Sequence, residues 1–275
     1  MNWGVITIFP ELMDQALNVG VIGQARARGL WQLELINPRQ FTNDVHQSVD
    51  DRPFGGGDGM LMLAEPLAQA VEAYGPAHVI HLSPKGQTWT DARARELATQ
   101  SRVLLVASRY AGVDQRWIDE FVDEEISLGD FILSGGELAA ACLIDSVLRH
   151  RPGVLGNEVS ANAESFGGRF NLLEAPQYTR PREWRGKSVP SLLAGGDHAK
   201  INDYQFLTSL QITLAMRPDL VRRALQTPGV ELVEELRRVE KRRHRDAEFS
   251  AWRWSELYSE LAQLLKQNLN SSFEK

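Results

Sequence analysis

The first half of the chain alternates between short β-rich apolar runs and stretches of helical period. "GVITIF" is a β-rich run, and Pro10 with the acid after it opens a helical pattern that continues to about Arg28. "LWQLELIN" is a second strand, and "EPLAQAVEAYG" a helix with proline at its start and glycine at its end. "AHVIHLS" and "RVLLVAS" are two more strands, with the helical "TDARARELATQ" between them. "EEISLGDFIL" predicts one or two further strands, and "SGGELAAACLIDSVLRH" a helix. Strands separated by helices predict an α/β fold with a parallel, mostly buried sheet. Ligands of such sheets gather at the carboxyl ends of the strands.

After Arg151 the periodicity stops. "PGVLGNEVSANAESFGGRFNLLEAPQYTRP" is rich in Gly, Pro, Ser and Asn, and a loop of that length is functional or a linker. Helical patterning resumes in "HAKINDYQFLTSLQITLAMRPDL" and the basic and Trp-containing segments beyond it. Near the end, Trp254, Leu257, Tyr258, Leu261, Leu264 and Leu265 recur three or four apart, predicting a last helix that packs one apolar face on the body. The expected organisation is an α/β domain over 1–157, a linker over 158–176, and a smaller all-helical domain over 177–275.

Composition narrows the class. At 275 residues, with 43% hydrophobic and 24% charged residues, the chain has ordinary globular values and enough length for a sizeable core. One cysteine, Cys142, excludes an intramolecular disulfide, and its apolar surroundings "ELAAACLIDSVL" predict a small buried residue. "MNWGVITIFPEL" lacks the basic and long apolar parts of a signal peptide, and no apolar run approaches the roughly 20 residues that span a bilayer. A cytoplasmic protein with no membrane association is expected. The net charge of −6 argues against a uniformly basic nucleic-acid binder. Locally, "RRVEKRRHR" (Arg237 to Arg245) sets six Lys/Arg against Glu240. It is either a solvated helix face paired with acids such as Glu234 and Glu235 or a phosphate-contacting surface; charge alone favours the first.

Several chemistries lose support. His78 and His81, three apart on a strand, point to opposite faces, and no H-E-x-x-H is present, so the six histidines offer no metal site. There is no G-x-S-x-G elbow, and "GGGDG" lacks both the GK[ST] ending and the ordered G-x-G-x-x-G of nucleotide loops. Four loops remain, three of them directly after strands: "HLSPKG", "SRYAG", "SLGDFILSGGE" and the glycine-rich "FGGGDG". Ser134 with Glu137 also reads as an S-x-x-E capping box.

Ordered along the chain stand "TIFPEL", "GVIGQARARGL", "FTNDVHQSVDDRPFGGGDGM", "LSPKGQ", "RYAGVDQR", "DEEISLGDFILSGGELAA", "IDSVLRHRPGVLGN", "ESF", "PQYTRP", "VPSLLAGGDHAKI" and "RPDL". Over residues 1 to 220 this series resembles the bacterial tRNA (guanine-N1)-methyltransferases of the SPOUT superfamily. The resemblance implies a deep trefoil knot whose post-strand loops hold S-adenosylmethionine: His81, Leu82, Ser83 and Pro84 from the first; Ser108 and Tyr110 from the second; Leu128, Gly129, Asp130, Phe131, Ile132, Leu133, Gly135 and Gly136 from the third. Backbone groups of Leu128, Gly129, Phe131 and Leu133 would read the adenine edge.

The implied reaction methylates N1 of the guanosine at tRNA position 37, 3′ of the anticodon, when another guanosine precedes it. N1 carries a proton at neutral pH, so a base must remove it and a cation near O6 would stabilise the developing charge. By motif match these are Glu164, where the family has aspartate, and Arg149. The resemblance further implies a homodimer with the active site between subunits. With tRNA as the implied substrate, the basic stretch gains weight as a phosphate-contacting surface, and Tyr178, Arg180, His198 and Lys200 are candidates for tRNA contact or for packing of the linker and domain; the resemblance also implies a magnesium ion, for which the sequence shows no carboxylate cluster.

The chain departs from the family pattern in places. Ser108-Arg109-Tyr110-Ala111-Gly112 stands where the family reads Gly-Arg-Tyr-Glu-Gly, so either another acid (Asp58 or Asp114) replaces the missing carboxylate or activity is weakened. Lys85 stands where glutamine is common, and five residues separate "SF" from "LL" in the linker, more than usual. These departures leave two rival expectations: a knotted RNA-binding protein with weak methyltransferase activity, and a related knotted methyltransferase with another RNA target.

Overall fold

The computed structural model describes residues 1–156, 164–229 and 231–271. The chain divides into two compact units, Met1–Glu158 and Val159–Lys275. The expected boundary between residues 157 and 158 lies outside the described residues.

The first unit is an α/β layer structure. Its sheet is built from β1 (Asn2–Ile6), β2 (Gln32–Ile36), β5 (His78–Thr88), β6 (Arg102–Val106) and β7 (Glu124–Ser127) in the order β2-β1-β6-β5-β7. Every pairing in it is parallel. The short β3 (Asp50–Asp51) and β4 (Leu61–Met62) pair antiparallel apart from it. The central strands read as unbroken apolar runs because helices cover both faces. Trp3, Val5, Val103 and Leu105 are buried in one cluster with Trp31 and Leu143, while Ile6, Leu104 and Val106 join Leu67 and Trp117 in another. Each such side chain contributes roughly 1.5–3 kcal/mol on burial.

Six helices of this unit are described: α1 (Pro10–Leu17), α2 (Gly20–Ala27), α3 (Ala64–Tyr74), α4 (Asp91–Leu97), α5 (Gln115–Phe121) and α6 (Glu137–Leu148). The single helix expected from Pro10 to Arg28 is two. Asn18 ends the first, and Gly20, at φ +66°, takes a left-handed conformation that cannot continue a helix. Strand structure in "EEISLGDFIL" stops at Ser127, because Gly129 at φ +151° turns the chain and its carbonyl accepts from Phe131 N–H. Cys142 is exposed rather than buried. The buried apolar positions of α6 are Ala139, Ala140, Leu143, Ile144, Val147 and Leu148, a spacing of four that leaves position 142 on the outer face.

In the second unit α7 (His198–Met216), α8 (Pro218–Gln226), α9 (Leu232–Arg243) and α10 (Trp254–Ser271) enclose a core of Leu207, Leu210, Val221, Leu236 and Phe249. Asp197 starts α7 by accepting from the N–H groups of Ala199 and Lys200 at 3.0 and 3.1 Å. A hairpin of β8 (Glu183–Trp184) and β9 (Lys187–Ser188) precedes it, so the stretch expected to be all-helical from 177 on also carries two short strands, turned at Arg185 and Gly186, which both take positive φ. On α10, Leu257, Leu261 and Leu264 are buried and Trp254 and Tyr258 pack beside them, as the periodicity predicts. Leu265 is the exception at 41% exposed, since it falls one residue past the buried row. Among the described residues no helix is long and apolar enough to cross a membrane.

Candidate active site

A bulge within β5 and the loops that follow its neighbours β6 and β7 line one cavity of about 610 Å³ in the first unit. In the bulge, the first of the three loops, Leu82 and Gln87 both pair with Ile126, so residues 83–86 loop out of the sheet and return to it. A side chain at Gly86 would meet the Glu125 carbonyl carbon at 2.3 Å, so only glycine lets the strand come back so close.

The second loop follows β6. Tyr110 sits at φ +61°, and Ala111 N–H donates to Met60 O while Gly112 O accepts from Met62 N–H. These bonds tie the loop to the segment just after the glycine-rich stretch. The third loop runs from Ser127 to Gly136 and presents Phe131, Ile132 and Leu133 to solvent at 54%, 79% and 36% exposure. Gly136 N–H donates to Ser108 O at 2.9 Å, locking the second and third loops together, and a Cβ at Gly136 would lie 2.7 Å from Ala107 Cα.

Behind the loops are two polar assemblies. In one, Glu137 is 1% exposed and accepts from Thr7 Oγ1 at 2.9 Å; its other oxygen lies 2.9 Å from Arg109 Nε. Arg109 also donates to Ser134 O at 3.1 Å and lies over the Phe9 ring. Glu137 is therefore not the partner of a capping box with Ser134: its carboxylate is taken by Thr7 and the Arg109 guanidinium, and the N-cap of α6 is Gly136, which has no side chain to cap with. In the other assembly, His81 is 3% exposed, with Nδ1 2.9 Å from Glu125 Oε1 and Nε2 3.0 Å from Ser108 Oγ. Burial lowers the His81 pKa from its ordinary value, against the opposing pull of Glu125. His78 bonds Glu124 rather than Glu125, consistent with the opposite faces expected of the two histidines.

Of the residues that the resemblance assigns to the cofactor, His81, Leu82, Ser83, Pro84, Ser108, Tyr110, Leu128, Gly129, Phe131, Ile132, Leu133, Gly135 and Gly136 all line this cavity; Asp130 does not. Arg109 lines it too and was not anticipated. Its signal was a charged residue in mid-loop, and its buried partner was 28 positions away in an apolar helix. Arg149 is the residue on which α6 ends, one helix length from Gly136.

Glu164 belongs to the second unit, where it is half-buried at the rim of a smaller cavity with Arg169, Phe170, Gln205 and Phe206. There Tyr178 and Arg180 are exposed. His198 opens α7, and Lys200 is held by Asp246 at 3.1 Å and Glu248 at 2.6 Å. The basic stretch divides. Arg238 pairs with Glu231 and Glu235, and Arg242 and Arg243 clamp the buried Asp203, each at 2.7 Å. Arg237, Lys241 and Arg245 are exposed. Among the described residues no group of three or more His, Cys, Asp or Glu is placed to hold a metal ion.

Residues 1–223 match the family described as "tRNA (Guanine-1)-methyltransferase TrmD". Three curated proteins named tRNA (guanine-N(1)-)-methyltransferase are similar over most of their length. That of Thiobacillus denitrificans is 45% identical, covering 82% of this chain and 98% of the relative. That of Neisseria meningitidis serogroup C is 44% identical over 86% and 96%, and that of Stenotrophomonas maltophilia 44% over 88% and 99%.

Proposed function

The chain belongs to the tRNA (guanine-1)-methyltransferase family and is a tRNA guanine-N1 methyltransferase, and we propose that the three-loop cavity is its S-adenosylmethionine site. One observation carries the proposal: the bulge of β5 and the loops that follow its parallel neighbours β6 and β7 line a single cavity with both apolar and polar side chains. The residues fit the ligand. Leu82, Phe131, Leu133 and Ala139 offer apolar surface to a flat base, while Ser108, Arg109 and Glu125 offer polar and charged groups to a hydroxylated sugar and a zwitterionic tail. Gly136 lets the third loop pack directly against Ala107, where a Cβ would meet Ala107 Cα at 2.7 Å.

S-adenosylmethionine supplies an electrophilic methyl group on a sulfonium. What the protein must add is a base for the N1 proton and a cation for the charge that develops on O6. We assign these roles to Glu164 and Arg149, and the target to the guanosine at position 37, 3′ of the anticodon, preceded by another guanosine. Arg149 lies ten residues beyond Ala139, the α6 residue at the cavity, which is about 15 Å along the helix. That separation supports a homodimer in which one subunit's cofactor cavity meets catalytic groups of the other. The knot implied by the resemblance belongs to this reading, as does a cytoplasmic location, where tRNA is modified.

On the helical unit, phosphate contact falls to Arg237 and Lys241, four apart on α9, and to Arg245 just beyond it. Arg238, Arg242 and Arg243 are already committed to carboxylates of the unit. Phosphate contacts position the RNA without reading its sequence. Tyr178, Arg180 and His198 are further contacts in this reading, and Lys200 contributes less because two acids hold it.

The test is methyl transfer to tRNA transcripts carrying G or A at position 37, with G or another base before it. Incorporation confined to the transcript with both guanosines is expected. Equal incorporation into the A37 transcript would overturn the position assignment.

A further inference from the structure

Glu125, His81 and Ser108 form a hydrogen-bonded relay that ends in the cavity. A carboxylate only accepts, so the histidine nitrogen facing Glu125, Nδ1, carries a proton. With the ring neutral, Nε2 has no proton and is itself an acceptor. Among the described residues the group bonded to Nε2 is the Ser108 hydroxyl, at 3.0 Å, so that hydroxyl must donate its hydrogen to the ring. What remains of Ser108 toward the cavity is oxygen lone pairs.

We propose that Ser108, oriented by His81 and Glu125, is an obligate hydrogen-bond acceptor for a donor group of the cofactor, a ribose hydroxyl or the α-ammonium. The inference rests on the reading of the cavity as the S-adenosylmethionine site. Ser108 touches the ligand in this account, whereas His81 and Glu125 are positioning residues.

The same three side-chain types serve as a nucleophilic triad in hydrolases, and the surroundings argue against that use here. An oxyanion hole needs neighbouring backbone donors, and the N–H groups of Arg109, Ala111 and Gly112 are directed at Met62 Sδ, Met60 O and Arg109 O. The serine is left with a binding role.

The relay also makes the acceptor pH-dependent. The groups facing His81 are Glu125 on β7, Lys85 in the β5 bulge, Ser108 after β6 and the Trp117 ring edge from α5. Of these only Glu125 favours the imidazolium, and burial disfavours it. When His81 does protonate, Nε2–H becomes a donor to Ser108, which frees the serine hydrogen to point at the ligand's own donor. Cofactor affinity is therefore expected to fall on acidification.

Two experiments on the full-length protein test this. The first titrates S-adenosylmethionine by calorimetry between pH 5.5 and 8 against the parent, Ser108→Ala and Ser108→Gly. Expected at pH 8 is a three- to tenfold loss of affinity in both variants, with a weaker dependence on pH than the parent shows. Parent-like affinity and pH dependence in the variants would overturn the relay while leaving the cofactor site standing. A parent that binds no S-adenosylmethionine would overturn both. The second is histidine-selective ¹⁵N NMR of the parent at pH 8, independent of any variant's folding. It should show His81 protonated at Nδ1 and bare at Nε2; the reverse tautomer would refute the proposal.

Discussion

Arg109 Nε lies 2.9 Å from Glu137 Oε2, so the guanidinium at the cavity wall is held by a carboxylate that is 1% exposed. The pair joins the loop after β6 to the first residue of α6, and Thr7 on the β1 side completes it. Removing the charge should cost more than a surface ion pair would, because the guanidinium would be left facing an uncharged buried group. Glu137→Gln is expected to lower unfolding free energy by about 1–3 kcal/mol in urea denaturation. Gly135→Ala should disturb the same pair from the other side, since its Cβ would fall 2.2 Å from Arg109 Nε. That variant should lose S-adenosylmethionine affinity together with stability, the latter by an amount comparable to Glu137→Gln.

Stability should depend on pH through two histidines, His81 in the relay and His150 just past α6, whose Nε2 lies 2.9 Å from Asp91 Oδ1. Burial is the largest influence on both His81 and His150 and lowers both pKa values, while Glu125 and Asp91 oppose it. In the unfolded chain they titrate near 6.5. As pH falls through that value toward the lower folded pKa, the unfolded chain binds protons that the folded chain refuses, so stability falls. Above it the two states match and this dependence vanishes. The slope is at most about 1.4 kcal/mol per pH unit for each histidine. Denaturation of His81→Gln/His150→Gln between pH 5 and 7.5 should show a flatter profile than the parent. An unchanged slope would mean other groups dominate.

Ala111 is exposed on the cavity wall where the family pattern carries glutamate. Asp114 cannot replace that carboxylate without cost: it caps α5 and pairs with Arg116 at 2.6 Å. Ala111→Glu is therefore expected to raise kcat/KM for tRNA, with stability changed by no more than about 0.5 kcal/mol. A fall in kcat/KM would indicate that the loop has adapted to the smaller residue.

The sheet was legible in the sequence because its central strands are buried on both faces and so read as unbroken runs such as "VLLV". The loops were legible because chemistry in such folds collects where those runs end. Signals that depend on distant partners were hidden. Nothing near Glu137 announces Arg109, so an acid three residues after a serine looked like a cap. Cys142 looked buried because its neighbours are apolar, although its own position faces outward. Lys200 is bound by Asp246 and Glu248 from more than forty residues away. The split of α1 from α2 turned on one backbone angle at Gly20.

The proposed base for the N1 proton is Glu164. Single-turnover methyl transfer to a G37 transcript should be measured for the parent and Glu164→Gln, with S-adenosylmethionine affinity measured on the same preparations. The predicted result is a rate lowered at least about a hundredfold with cofactor affinity within about twofold of the parent. A parent-like rate would contradict it and require another group to remove the proton.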